Sequence, residues 1–431
     1  MLIDFSVGNF RSFRDIETLT MQSAKIKSKY KEVDENNVFQ HEIGYSLLKT
    51  KGIFGANASG KSNLIRAFAV FVNILKNSVK DETVVKRYEE PFFLDNAKEE
   101  RATFFQATFI LDNQPYRYGF EIKNGNIKAE WLFGTPKERE THYFVRESMN
   151  IEINKTKFKE GQGILKLGLD DLTVFRNNSL FLGVVATFGG KNARQIINFF
   201  TNTITILSNP ISDSSMTIAF NRFDQNEFRE RLTDLMLTAD MGITGMQKVD
   251  VSKAELSNGA EQTLKGLEKD KKLGFILLKK PVFNEAKEKI GETGLPLNVY
   301  EAEGTKKLFA LSPFIFDTLA NENGGILVID ELDARLHPRL SHKIVQLFNS
   351  KETNPNNAQL IFVAHDTSFL NAKLLRRDQI TFVEKDKYGN SSIYTLVEYK
   401  GVRNDASFEQ DYLKGKYGAV PFLNGIDRLF L

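Results

Sequence analysis

An apolar strand end, Ile53-Phe54, runs into Gly55-Ala56-Asn57-Ala58-Ser59-Gly60-Lys61-Ser62, and a helical pattern follows with Leu64, Ile65 and Phe68 on one side. This is the composition of a phosphate-binding loop in the strand-to-helix setting that such a loop requires. Glycines let the backbone approach phosphate oxygens, successive N–H groups form an anion nest, and the helix presents its positive end to the same charge. In that pattern Lys61 reaches the β- and γ-phosphates and the Ser62 hydroxyl is a Mg²⁺ ligand. The chemistry expected is the binding of a nucleoside triphosphate.

Three further stretches could complete that chemistry. Ile326-Leu327-Val328-Ile329-Asp330-Glu331 is a uniformly apolar strand ending in two carboxylates. A buried strand delivers them to the carboxyl edge of a sheet, where a phosphate loop also lies. Asp330 is then a candidate Mg²⁺ ligand and Glu331 a candidate base for an attacking water; the plainer alternative is an acidic first turn after a strand. Leu360-Ile361-Phe362-Val363-Ala364-His365 is a second such strand, and an imidazole beside a γ-phosphate could sense it through one hydrogen bond. A structural histidine is the alternative there. Finally, Glu301-Ala302-Glu303-Gly304-Thr305-Lys306 opens a helix and offers free N–H groups and a cation to an anion, although acids in a first helical turn are also what the helix dipole favours.

These residues need elements to position them. Residues 1–22 alternate as two strands around a turn at 11–14, and 24–40 is polar enough to predict a loop. Residues 45–54 supply the strand feeding the phosphate loop, and the helix behind it runs from Ser62 to about Leu75. Runs at 102–111, 116–122 and 127–133, separated by Asp112-Asn113 and Lys123-Asn124-Gly125, predict an antiparallel meander. Residues 135–163 suit hairpins, 180–207 and 223–237 carry helical spacing, and 241–251, 275–283 and 295–300 read as extended, with a polar stretch at 252–272. Gly304 to Leu319 is an amphipathic helix; 326–329, 360–364, 380–383 and 393–397 are strands. Alternating strands and helices around a phosphate loop predict an α/β core with a largely parallel sheet.

Composition removes several classes. The chain has 431 residues, a formal charge of +3 and no cysteine. Near-balanced charge does not suit a chain that coats nucleic acid by bulk electrostatics. Without cysteine there is no disulfide framework or thiolate nucleophile, and a cytoplasmic setting fits. The first residues lack the basic start and apolar core of a signal peptide, and no apolar run approaches the ~20 residues of a membrane span.

Taken together, the four stretches resemble the ABC-type ATPase heads of the SMC, RecF and OLD group. Gly55-Ala56-Asn57-Ala58-Ser59-Gly60-Lys61-Ser62-Asn63 matches that group's Gly-x-Asn-x-Ser-Gly-Lys-Ser-Asn, and Asn9-Phe10-Arg11-Ser12-Phe13 is similar to its N-terminal strand-turn. Asp330-Glu331-Leu332-Asp333-Ala334-Arg335-Leu336-His337-Pro338 resembles the Walker B strand with its D-loop. More narrowly, this segment and Tyr412 to Pro421 resemble the stand-alone RloA- and AbiL-type AAA/ABC-like ATPases of bacterial phage-defence operons.

The resemblance implies an α/β fold, a P-loop NTPase of ABC/SMC-head type with an N-terminal antiparallel β lobe and a mixed α+β insertion. It implies a head split between 1–135 and 291–431, with 136–290 inserted. It implies ATP and Mg²⁺ as ligands, with Arg11, Gly55, Asn57, Ser59, Gly60, Lys61, Ser62 and Asn63 on the nucleotide, Ser62 and Asp330 on the metal, and Glu331, His365 and Lys61 in hydrolysis. Gly304 is expected to act in trans, on ATP held by a second copy in a homodimer or higher oligomer. Ala302 and Glu303 replace the serine and first glycine usual in that segment, and Gln106 is the candidate for the glutamine of the Q-loop. The residues after His365 hold no Asp-x-Asp pair for a two-metal nuclease, so a separately encoded effector is expected. The function implied is that of an ATP-hydrolysing sensor or regulator in antiviral defence by abortive infection. A RecF-like repair ATPase, with nucleic acid as partner, and an ATP-gated scaffold are the alternatives; no membrane partner is expected.

Overall fold

The computed structural model describes residues 1–95, 100–135, 139–167, 174–208, 212–239, 242–249, 275–403 and 406–421. The chain divides into two compact units: Met1–Ser208 with Thr318–Leu332 and His342–Leu431, and Asn209–Asp317 with Asp333–Ser341.

In the first unit β1 (Leu2–Gly8) and β2 (Glu17–Thr20) open the chain, β3 (Val38–Gln40) and β4 (Ser46–Leu48) form a small pair, and β5 (Thr50–Phe54) enters the phosphate loop. A meander follows: β6 (Thr103–Leu111), β7 (Gln114–Lys123), β8 (Asn126–Gly134), β9 (Thr141–Glu147) and β10 (Asn150–Ile153). These strands join β1 and β2 in one seven-stranded antiparallel sheet of order β10-β9-β8-β7-β6-β1-β2. The strands β11 (Ile204–Leu207), β12 (Gly245–Val249), β13 (Phe275–Phe283), β14 (Lys289–Pro296), β15 (Ile326–Ile329), β16 (Gln359–Val363), β17 (Ile380–Lys385) and β18 (Ser391–Thr395) complete the chain. The second sheet has the order β11-β15-β16-β5-β17-β18, parallel throughout except for β18. β5, β15 and β16 are buried along their whole length, which is why their sequences do not alternate.

The helix Lys61–Asn77 packs between the two sheets. Its Phe68 stacks on Phe5 of β1 with ring centroids 4.5 Å apart, and Phe71 stacks on Phe120 of β7 at 5.4 Å. Leu64, Ile65, Ile53, Val328 and Ile361 share the same buried cluster. One core therefore fixes the lobe, the helix and the parallel sheet together. On the other face of that sheet Phe362 packs against Phe54 and Phe369.

Under the lobe lies a fully buried ion pair. Glu130 on β8 accepts from the N–H groups of Phe181 and Leu182 at 2.6 and 2.9 Å, from Tyr118 Oη at 3.0 Å and from Arg146 at 3.4 Å. It thereby caps the helix Phe181–Thr187. Arg146 also donates to the Ser148 and Ser179 carbonyls, so every face of the guanidinium is used. Residues 139–167 and 174–208, inside the stretch expected as an insertion, belong to the first unit.

The second unit holds an antiparallel sheet of order β12-β13-β14, the helices Asp213–Arg222 and Asn226–Thr238, and most of the helix Glu303–Ala320. Arg222 clamps Asp317 through two hydrogen bonds of 2.6 and 2.9 Å, and Phe316 packs edge-on to Phe228. Three expectations need correction. The helical spacing read over 180–207 stops at Thr203, because Ile204–Leu207 is β11, paired parallel with β15. The charged stretch 24–40 contains a helix, Lys31–Asn37, with β3 behind it, because Asn37 is buried and donates to Leu374 O and Gln379 Oε1. Residues 297–300 are a helical turn rather than strand, since β14 ends at Pro296. The polar stretch 252–272 lies outside the described residues.

Candidate nucleotide site

The phosphate loop closes on itself through left-handed backbone. Gly55 has φ +150° and Gly60 φ +116°. A Cβ on Gly55 would sit 2.3 Å from Val383 O, and one on Gly60 would sit 2.5 Å from Ser391 Oγ and 2.7 Å from Ser12 Oγ, so only glycine fits either place. Lys61 is buried, and its Nζ donates to Gly55 O and Ala56 O at 2.8 and 2.9 Å. The helix begins at Lys61 with no side-chain cap; its first N–H groups face the loop, where an anion would complete them.

Two distant segments brace this loop. Ser391 Oγ at the start of β18 donates to Ser59 O at 2.6 Å, and Ser391 N donates to Ser12 O at 2.7 Å. Asn63 Nδ2 donates to Ser12 Oγ at 2.9 Å. Ser12 lies in the tight turn between β1 and β2, where Asn9 and Arg11 both have positive φ. Arg11 donates to Asn63 Oδ1 at 3.1 Å and pairs with Glu90, which also pairs with Arg66. Sequence reasoning passed over Ser391, Glu90 and Arg66. They belong to no motif, and only the fold brings them to the loop.

Asp330 and Glu331 follow β15, the second strand along from β5. Ser62, in the first turn of the loop helix, stands beside the Asp330 carboxyl at the strand end. Burial raises the Asp330 carboxyl above its ordinary value; Ser62 opposes the rise, Glu331 adds to it, and Lys61 opposes it. Asp330 Oδ1 has no hydrogen-bond partner, and neither has Ser59 Oγ. Orphaned buried oxygens beside a cationic loop fit a group that brings a cation and donors with it. Glu331 is exposed and holds φ +51°, an uncommon conformation for a residue other than glycine. His365 follows β16, between β15 and β5, and is exposed. Asp366 beside it caps the short turn Thr367–Phe369 by accepting from Ser368 N.

The remaining candidates lie elsewhere. Gln106 on β6 is held by Trp131 Nε1 and Arg117, both at 3.1 Å. Gly304 belongs to the second unit, where a Cβ would meet Arg335 O at 2.5 Å. There Arg335 pairs with Glu303 at 2.6 Å and Lys307 donates to Ala334 O at 2.8 Å, so the segment opening that helix is tied to residues 334–335. No described helix is long and apolar enough to cross a membrane.

No curated protein matches the chain. Among solved structures, an SMC head domain from Thermotoga maritima aligns at 15% identity and a TM-score of 0.41, over 91% of this chain and 98% of that one, a likeness too loose to carry weight. A family model matches residues 52–371, which includes the phosphate loop, β15 with its two carboxylates, and His365. The chain belongs to the family described as "AAA domain, putative AbiEii toxin, Type IV TA system".

Proposed function

We propose that the protein binds and hydrolyses ATP with Mg²⁺ and that its nucleotide state regulates a separately encoded effector in bacterial antiviral defence. The observation that carries the reading is the approach of Ser62, in the first turn of the loop helix, to the buried carboxyl of Asp330, whose Oδ1 has no hydrogen-bond partner; the two belong to the two halves of a metal-nucleotide site. Lys61, released from Gly55 O and Ala56 O, reaches the β- and γ-phosphates, and the uncapped N–H groups of the loop helix take the remaining charge. Ser62 and Asp330 would hold Mg²⁺, which would supply neutralisation of the charge that develops on the phosphates. Glu331 orients and deprotonates the attacking water, and His365 reports the γ-phosphate by one hydrogen bond. Arg11, kept beside Asn63 by Glu90, adds a further cation. Two copies bring Gly304 of each to the nucleotide of the other.

The family's description as a toxin of a toxin–antitoxin system supports the defence role. The departures at Ala302 and Glu303 favour slow turnover, because a hydroxyl donor is missing and Glu303 is engaged by Arg335 and Lys306.

The test is ATP hydrolysis and mass in solution for wild type, Glu331→Gln and Lys61→Ala, with and without duplex DNA. Turnover independent of DNA and lost in both variants, with an ATP-dependent oligomer retained by Glu331→Gln, is expected. Strong stimulation by DNA would replace this reading with a repair ATPase; stable ATP-dependent oligomers without turnover would leave a scaffold.

A further inference from the structure

The segment that precedes the helix Lys31–Asn37 carries lysines at alternate positions, Lys25, Lys27, Lys29 and Lys31, and no aspartate or glutamate occurs from Thr18 to Lys31. All four lysines are exposed, whereas Ala24, Ile26, Ser28 and Tyr30, which alternate with them, are partly buried. A period of two belongs to an extended chain with one face on the protein and one in solvent. The backbone alternates in the same way. The N–H of Ala24 donates to Asp378 Oδ2 at 2.8 Å, that of Ile26 to Ala24 O at 2.8 Å and that of Ser28 to Asp34 Oδ2 at 2.9 Å. The N–H groups of Lys25, Lys27 and Lys29 meet no acceptor among the described residues.

The support beneath these lysines is fixed. Arg376, 4% exposed, donates to Ala24 O at 3.1 Å and to the two Asp378 oxygens at 2.9 and 2.8 Å, and it pairs with Asp34. Asp378 O in turn accepts from Lys51 of β5, the strand that enters the phosphate loop. Exposed Lys373 joins the segment from the side: its Nζ lies 5.7 Å from the centre of the Tyr30 ring, and Lys29 Nζ lies 5.5 Å from it. Lys31 is spent on Glu35 at 2.8 Å, but Lys25, Lys27, Lys29 and Lys373 form no ion pair with a described residue.

We infer that Lys25, Lys27, Lys29 and Lys373 are the docking track for an extended acidic segment of a partner protein, which sets its carboxylates against the lysines and its main chain along the unused N–H edge of residues 25–29. The inference rests on the proposed control of a separate effector and supplies the face that holds it. Charge complementarity selects an anion, and two observations choose a polypeptide over nucleic acid. The aromatic ring on the track, Tyr30, is already covered by two lysines and leaves no platform for stacked bases. Free N–H groups at alternate residues match the carbonyls of a second extended chain.

Fluorescence anisotropy of the whole protein at low salt, with a labelled octapeptide of alternating threonine and glutamate, tests the track. Lys25→Gln/Lys27→Gln/Lys29→Gln should weaken the peptide by about tenfold. Lys155→Gln/Lys157→Gln/Lys159→Gln removes three exposed lysines of the same spacing elsewhere on the first unit, and should leave the peptide within about twofold of wild type. Wild type that does not bind the peptide overturns the inference, and so do two triple variants that weaken it alike. Labelled oligothymidylate that binds more tightly than the peptide and is lost in the first triple variant also overturns it, and gives the track to nucleic acid. ATP hydrolysis by the same proteins keeps the two readings apart. Peptide binding that fails while wild type hydrolyses ATP overturns the track alone; wild type without hydrolysis overturns the proposed ATPase and leaves the peptide result standing.

Discussion

Ser62, in the first turn of the loop helix, stands beside the buried carboxyl of Asp330 at the end of β15, close enough to oppose the rise that burial imposes on it. These two groups approach because β5 and β15 flank the same strand, β16, and all three run parallel. Asp330→Asn keeps the shape and removes the charge a divalent cation needs. ATP hydrolysis should fall by about 100-fold or more, and the Mg²⁺ dependence of nucleotide affinity should flatten in titrations with and without the metal.

Arg11 sits in a left-handed turn whose N–H donates to Glu90 O at 2.8 Å, while its guanidinium pairs with the Glu90 carboxylate. Arg11→Ala should weaken ATP by about tenfold, the scale of one charge-assisted contact of ~1.4 kcal/mol. Glu90→Gln should move affinity in the same direction by less, with the melting temperature lowered as well, because Arg66 loses the same partner. Equal affinity in all three proteins would remove Arg11 from the site.

Arg146 and Glu130 are both fully buried. Removing one charge leaves the other without its partner, a loss that costs about 3–5 kcal/mol. Arg146→Met should therefore unfold at much lower denaturant than wild type. The double variant with Glu130→Gln should recover part of the difference in chemical denaturation, since the neutral amide can still accept from Phe181 and Leu182 N–H.

Lys51 on β5 is buried, donates to Asp378 O, and is pushed down to about 8 by burial, which nearby Asp378, Glu398 and Asp4 only partly oppose. Folded protein releases this proton near pH 8, whereas the unfolded chain holds it to its ordinary value of 10.5. Above pH 8 the unfolded state binds more protons, so stability rises with pH, by up to about 1.4 kcal/mol per unit for one lysine. Lys49, also pushed down to about 8, adds a second such contribution. Stability should climb from pH 8 to about 9.5, below the range where raised tyrosines such as Tyr412 reverse the trend. In Lys51→Met the climb should be about half as steep, as read from urea midpoints.

The elements of the site were legible where one segment carries both the pattern and its consequence. The run Ile326 to Ile329 is apolar on both faces because both are covered, and Gly55 and Gly60 stand where backbone must turn left-handed. What could not be read is whatever two distant segments make jointly. Ser12 and Ser391 are ordinary serines until β18 brings them onto Gly60. Lys51 argues against a buried strand by residue type, and only the carbonyl of Asp378 reconciles it. The helix Lys31–Asn37 is hidden for a similar reason: its anchor, Asn37, is satisfied by Leu374 and Gln379.

The position of β5 bears on how the protein is made. Its neighbours in the parallel sheet are β16 and β17, so the strand that carries the phosphate loop has no partner in that sheet until the ribosome has delivered residues 359–385. A nascent chain can close the β6–β10 meander from local contacts long before then. The loop itself must wait through some three hundred residues of synthesis with both edges of β5 unpaired, a state in which chains are prone to mispair. Nucleotide binding is thus among the last properties the chain acquires, and it reports that both ends of the sequence have found each other.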